Sequence, residues 1–169
     1  MKKVLIFGNS GSGKSTFASL LAKKLSCSAF HLDEIALDQY WRHLPPEEVL
    51  PRVESILKQD SWVIDGNYRK LFYQERFEKA DTIIILDIPL YISLIRCIKR
   101  AHASKRGVRR VGAHSAQKDI ITLPFLYWIL WKYPREVRPL LIQKIEKEYK
   151  EKVIYLRSQK EIDEFLKAQ

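Results

Sequence analysis

The sequence predicts an α/β fold, a parallel five-stranded sheet sandwiched by helices, and three observations carry that expectation. Short runs rich in Val, Ile, Leu and Phe lie between longer segments of helical period, at residues 4–7, 62–64, 82–86 and 153–156, with a weaker run at 29–32. The runs are near-continuously apolar rather than alternating, as strands covered by helices on both faces are. The 169 residues, 46% hydrophobic and 30% charged with 6 Gly and 7 Pro, are one globular domain's worth of chain, so residues 1–169 are expected to form a single domain.

Residues 4–7 open the chain as a strand that stops at Gly8, and the first helix is expected near Lys14. The weak strand at 29–32 is followed by a helix beginning near Pro46, because a proline costs least at a helix start, where its missing N–H has no intrahelical acceptor. The strand at 62–64 leads to a helix near Tyr68, and the strand at 82–86 to one near Pro89. Pro134 marks the next helix start, and after the strand at 153–156 the last helix is expected near Glu161.

The 30 Lys and Arg against 20 Asp and Glu give a net charge of +10, which points to anionic partners such as nucleotides, nucleic acid or a membrane surface. Cys27 and Cys97 provide neither a disulfide framework nor a four-cysteine zinc site, so a reducing, cytoplasmic setting is expected. The near-apolar run at 120–131 is broken by Pro124 and falls short of the roughly 20 residues that span a bilayer, so no stable membrane association is expected. Residues 88–118 contain no Asp or Glu, while Arg96, Lys99, Arg100, Lys105, Arg106, Arg109, Arg110 and Lys118 are all basic. Their middle, 104–115, has Gly107 and Gly112 and no clear period, and reads as a mobile, anion-facing lid.

Gly8-Asn9-Ser10-Gly11-Ser12-Gly13-Lys14-Ser15 matches G-x-x-x-x-G-K-[ST] and lies between an apolar strand and a helix. The glycines let successive backbone N–H groups turn inward as an anion-binding nest, and the helix N-terminus adds partial positive charge there. Lys14 then reaches the β- and γ-phosphates of a nucleotide, Ser15 ligates Mg²⁺, and Thr16 serves the α-phosphate. A carboxylate must hold the metal shell, and Asp33, Asp65 and Asp87 all fall at strand ends, where ligands bind in open α/β sheets. Asp33 and Asp65 are the functional candidates; Asp87, two residues before Pro89 and its helix, reads as a turn or cap residue.

These residues resemble the adenylate-kinase-like group of P-loop kinases, and within it the topology modulation (FlaR-related) proteins. The resemblance rests on residues 8–16, His31-Leu32-Asp33, the stretch 62–68 and the stretch 81–89. It implies a P-loop NTPase of the nucleoside/nucleotide kinase type with a basic lid at 101–133 and an acceptor-covering segment at 36–59. Asp65-Gly66-Asn67-Tyr68-Arg69 is similar to the Asp-Gly-Phe-Pro-Arg of nucleoside monophosphate kinases, which implies that Asp65 orders the Mg²⁺ shell and Arg69 grips the acceptor. The same resemblance gives Arg96 the role of stacking on adenine and Arg100 that of binding ATP phosphates at the lid hinge. It suggests Arg135 and Arg138 as arginines closing over the transferred group. Asn67-Tyr68 stands where the family has Phe-Pro, and no cysteine-rich zinc site is present in the lid.

In the covering segment, Trp41 either stacks on a base or sugar or buries its ring in the core, and Arg42 is a candidate for an acceptor phosphate. Asp33 is the best-placed base for an acceptor hydroxyl, whereas a phosphate acceptor would need only arginines. His31 reads as a packed histidine, alternating away from that site. Two function classes follow. One is an ATP- and Mg²⁺-dependent kinase of a small nucleoside- or nucleotide-like acceptor; the other is an ATP-binding protein that binds DNA or RNA non-specifically and modulates nucleic-acid topology. No helix-turn-helix, RNP or zinc-finger pattern supports sequence-specific reading of nucleic acid.

Overall fold

The structure is a computed structural model and describes residues 1–107, 111–112 and 119–169. Its elements run β1 (Lys3–Gly8), α1 (Lys14–Lys24), β2 (Ala29–His31), α2 (Leu32–Ala36), α3 (Pro46–Leu57), β3 (Trp62–Asp65), α4 (Tyr73–Lys79), β4 (Thr82–Leu86) and α5 (Leu90–Lys105). After α5 come α6 (Leu123–Tyr127), a π-helical segment (Trp128–Val137), α7 (Arg138–Glu148), a 3₁₀ turn (Lys150–Lys152), β5 (Val153–Leu156) and α8 (Gln159–Lys167). The five strands form one parallel sheet in the order β2-β3-β1-β4-β5.

Because successive side chains of a strand point to opposite faces, each apolar run feeds two cores. Leu5 and Phe7 of β1, Trp62 and Ile64 of β3, and Ile83 and Ile85 of β4 pack with α3, α4 and α7 on one face. Val4, Ile6, Val63, Ile84 and Leu86 pack with α1 and α8 on the other. This double coverage is the reason the strands carry no polar alternation, and the parallel five-stranded sandwich is the fold the sequence predicts.

Four expected boundaries move, each for a local reason. β2 stops at His31, so Asp33 lies in the first turn of α2 and not at a strand end. The helix expected near Tyr68 begins at Tyr73, because Gly66 (φ +136°) and Phe72 (φ +45°) hold the intervening loop out of helical geometry. The last helix begins at Gln159, with Ser158 Oγ accepting from the Glu161 N–H and the Glu161 carboxylate accepting from Ser158 Oγ and the Arg157 N–H. The expected start at Pro134 falls inside a helical stretch that begins at Leu123, capped by Thr122 Oγ1 on the Phe125 N–H. Among the described residues no helix is long and apolar enough to cross a membrane. Neither Cys27 nor Cys97 forms a disulfide among the described residues.

Candidate functional site

The loop joining β1 to α1 is shaped by its glycines where it meets α5. Gly11 adopts φ +80°, and a Cβ there would stand 2.2 Å from the Ser93 carbonyl oxygen and 2.7 Å from Cys97 Sγ, so only glycine lets the loop ride on that helix. Asn9 organises the interior: its Oδ1 accepts from the Ser10 N–H at 2.8 Å, and its carbonyl accepts from the Ser12 N–H at 3.2 Å and from Lys14 Nζ at 3.1 Å. Ser12 Oγ is buried with no hydrogen-bond partner among the described residues. The first N–H groups of α1 have no intrahelical acceptors, and the helix N-terminus carries partial positive charge. Phosphate oxygens fit this set of donors.

Beneath the loop a chain of hydrogen bonds joins three elements. Ser15 Oγ donates to Asp65 Oδ2 at 2.9 Å, His31 Nδ1 bonds the other oxygen of Asp65, and His31 Nε2 lies 3.1 Å from Ser19 Oγ. Burial alone would lower the His31 pKa, but the hydrogen bond and charge of Asp65, with the charges of Glu34 and Asp33, leave it raised. The ring does not point away from the site. β2 and β3 pair His31 with Asp65 directly, which brings both side chains to one face. Gly112 covers this corner, since a Cβ on it would stand 2.7 Å from Ser15 Cβ and 3.0 Å from the His31 ring. The Asn67 amide grips the end of β1, donating to the Gly8 carbonyl at 2.8 Å and accepting from the Gly8 N–H at 3.5 Å.

Three cavities surround the loop. One of about 300 Å³ is lined by Ser12, Gly13, Thr16, Arg96 and Gln159. In it Arg96 donates to the Ser12 carbonyl at 3.2 Å and to Gln159 Oε1 at 2.8 Å. A second, of about 550 Å³, is lined by Ser10, Lys14, Asp33, Arg69, Lys70 and Lys132 among others. There Tyr68 Oη donates to Asp33 Oδ1 at 3.1 Å, and the buried Arg76 guanidinium bonds the Tyr68 carbonyl. The third, of about 420 Å³, is lined by Ser10, Asp33, Trp41, Cys97, Arg100 and Phe125 among others. Trp41 therefore faces this cavity, held at φ +64° in a tight turn whose Asp38 carboxylate accepts from the Tyr40 and Arg42 N–H groups.

The structure thus brings Ser10, Lys14, Asp33 and Arg69 around one cleft, sets the Ser15–Asp65 pair beneath the loop and places Arg96 beside the loop's outer edge. Other arginines are engaged elsewhere. Arg42 is exposed and pairs with Asp38 at 3.0 Å, and Arg100 pairs with Asp119 at 3.1 Å. Arg135 lies 3.7 Å over the Trp131 ring. Arg138 makes two bonds to Asp87, at 2.8 and 2.7 Å, and its hydrogen bond and charge hold the Asp87 carboxyl below the usual range. Arg109, Arg110, Lys118 and half of the loop expected at 104–115 lie outside the described residues.

Among the described residues no group of three or more His, Cys, Asp or Glu side chains could hold a metal ion on its own. A hydroxyl with one neighbouring carboxylate suits Mg²⁺, which keeps several waters and draws further ligands from substrate phosphates. Ser15 and Asp65 provide that pair. His31, Asn67, Asn9, Tyr68 and Arg76 were not assigned roles by sequence reasoning. Asn9, His31 and the Asn67-Tyr68 pair stood inside motifs that could have flagged them, whereas Arg76 stood in none.

No protein-family model matches the chain, and no curated protein matches it. Solved structures do. A sugar kinase from Janibacter sp. HTCC2649 superposes with a TM-score of 0.54 at 17% identity, over 99% of this chain and 93% of that one. A shikimate kinase from Acinetobacter baumannii gives 0.53 at 15%, over 99% and 90%. A shikimate kinase from Bacteroides thetaiotaomicron gives 0.50 at 16%, over 98% and 94%. At such identities the likeness establishes the fold, which is that of the P-loop kinases. Nothing in it bears on the topology-modulation resemblance.

Proposed function

We propose that this chain is an Mg²⁺-dependent kinase that transfers the γ-phosphoryl group of ATP to a hydroxyl of a small, anionic, nucleoside- or nucleotide-like acceptor. The observation that carries this reading is that Lys14 of the phosphate loop and Asp33 line the same cleft, whose walls also bear Arg69, Lys70 and Lys132. Kinship of fold with small-molecule kinases supports phosphoryl transfer in general.

Bound Mg·ATP supplies the transferable phosphoryl group, and the chain's residues orient both partners. Gly8, Ser10, Gly11, Ser12 and Gly13 present the loop backbone to the phosphates, Lys14 neutralises the β- and γ-oxygens, and Thr16 holds the α-phosphate. Ser15 and Asp65 hold the metal, and Arg96 stacks on the base in the 300 Å³ cavity. Asp33, fixed by Tyr68 Oη, accepts the proton of the acceptor hydroxyl as its oxygen bonds to phosphorus and ADP leaves. Arg69, Lys70 and Lys132 hold the acceptor's anionic group, and Trp41 packs on its ring. Arg100 stays at the lid hinge, while Arg42, Arg135 and Arg138 join only by leaving Asp38, Trp131 and Asp87.

The test is ADP release from Mg·ATP with pooled nucleosides, nucleoside monophosphates and sugars, beside a Lys14→Ala control. Stimulation by one pool, absent in the control, is expected. Asp33→Asn should then lower kcat by about 10²- to 10⁴-fold. An Asp33→Asn enzyme with normal kcat would mean that the acceptor group is a phosphate, needing no base.

A further inference from the structure

We propose that His31 is the positioning residue for the metal-facing carboxylate: it fixes one oxygen of Asp65 so that the other is presented to Ser15 and the metal. This rests on the kinase reading above, in which Ser15 and Asp65 hold Mg²⁺.

The geometry is a closed frame. Ser15 and Ser19 stand one turn apart on α1 and share a helix face. Asp65 ends β3, and His31 ends β2 directly opposite it in the parallel register. The four side chains are joined in sequence, Ser15 Oγ to Asp65 Oδ2, Asp65 Oδ1 to His31 Nδ1, and His31 Nε2 to Ser19 Oγ. Both strand residues are buried, His31 at 8% and Asp65 at 4% exposure, so water cannot readily substitute for the missing partner.

Bond directions follow from chemistry. An ionised carboxylate only accepts, so Nδ1 carries the proton toward Asp65; Nε2 of a neutral ring accepts from Ser19 Oγ, and Nε2 of a protonated ring donates to it, so Ser19 holds the ring in either state. A carboxylate free to rotate about its Cβ–Cγ bond would present its oxygens to the metal in many orientations. Here one oxygen is tied to an imidazole that is itself tied to α1, the helix that carries Lys14 and Ser15. Asp65 is therefore held in register with the phosphate loop by a side chain that never touches substrate. Loss of such a supporting partner typically weakens metal binding by about 10- to 100-fold.

The experiment uses Mn²⁺ as a paramagnetic substitute, titrated into the protein saturated with a non-hydrolysable ATP analogue, with free Mn²⁺ read by electron paramagnetic resonance. Analogue affinity is measured separately in chelator, and folding by thermal melting. His31→Leu should weaken Mn²⁺ uptake by about 10- to 100-fold while leaving metal-free analogue affinity within about twofold. His31→Asn, whose amide can still donate to Asp65, should recover most of the loss. Ser19→Ala should fall between the two. A folded His31→Leu protein that binds Mn²⁺ like the wild type overturns the proposal. Should His31→Leu fail to fold, wild-type Mn²⁺ affinity in a folded Ser19→Ala protein overturns it as well. A wild-type chain that takes up no Mn²⁺ with the analogue overturns the kinase reading, and this inference with it.

Discussion

Asn67 occupies the position where the similar motif of nucleoside monophosphate kinases carries phenylalanine, and it does what a phenylalanine cannot. Its amide meets both backbone groups of Gly8, the residue at which β1 becomes the phosphate loop. Asn67→Asp keeps the acceptor but puts a carboxylate oxygen against the Gly8 carbonyl, which should destabilise the fold by about 1–3 kcal/mol. The same change aims negative charge at the phosphate site, so the KM for ATP should rise at least tenfold. Asn67→Ala should cost only about 1 kcal/mol. Urea denaturation and ATP saturation curves check both. The motif around Asn67 was visible in the sequence, as were Lys14, Ser15 and Asp65, because each is fixed by local spacing. The partners of Asn67 and His31 were not, since they depend on β3 lying between β1 and β2, and strand order leaves no mark on a local pattern.

At the level of elements, a π-helical segment stands where periodicity predicted only a helix start at Pro134. Proline has no N–H to offer. In an i→i+5 register the carbonyl that Pro134 leaves without a donor is that of Ile129, and Asn9 Nδ2 fills the gap at 3.0 Å. The neighbouring Leu130 carbonyl receives Arg135 Nη1 at 3.4 Å. A side chain from the loop after β1 thus completes a helix whose Trp128, Lys132 and Glu136 line the cleft shared with Lys14 and Asp33. Pro134→Ala restores an N–H that competes with Asn9. The melting temperature should hold or rise, because proline is a poor interior helix residue, while the KM for ATP should increase several-fold as Asn9 is released. A lower melting temperature with an unchanged KM would contradict this coupling. Pro134 read as a helix start because a missing N–H is harmless there. The donor that makes it tolerable inside the helix comes from residue 9, far outside any window of local periodicity.

For the whole molecule, charge separates the two function classes considered. The net +10 invites non-specific contact with nucleic acid, and binding of that kind should fall by orders of magnitude between about 50 and 200 mM salt. Kinase activity at saturating substrate should change little over that range, and a titration with both readouts distinguishes the two. Acid stability is a second global property. Asp87 is held below the usual carboxylate range by Arg138, and Asp81, although burial opposes it, by the Lys2 and Lys3 N–H groups and Thr82. A depressed folded-state value stabilises at neutral pH and is lost as pH falls through that value, so unfolding should set in below about pH 4. Asp87→Asn should be less stable at pH 7 yet lose less on acidification, as followed by circular dichroism. The sheet was legible in the sequence because double coverage writes itself as unbroken apolar runs. Which arginines would stand in the cleft was not, because carboxylates distant in sequence, such as Asp87 for Arg138, decide it. Four tryptophans are distributed unevenly over this fold: Trp62 is sealed in the sheet, whereas Trp41 and Trp128 line the cavities and Trp131 lies beneath Arg135. The chain therefore carries its own optical reporter. Ligand entering the cleft should alter the red-edge fluorescence of the cleft indoles, while the blue-shifted emission of Trp62 remains as an internal reference, and binding can be followed without any label.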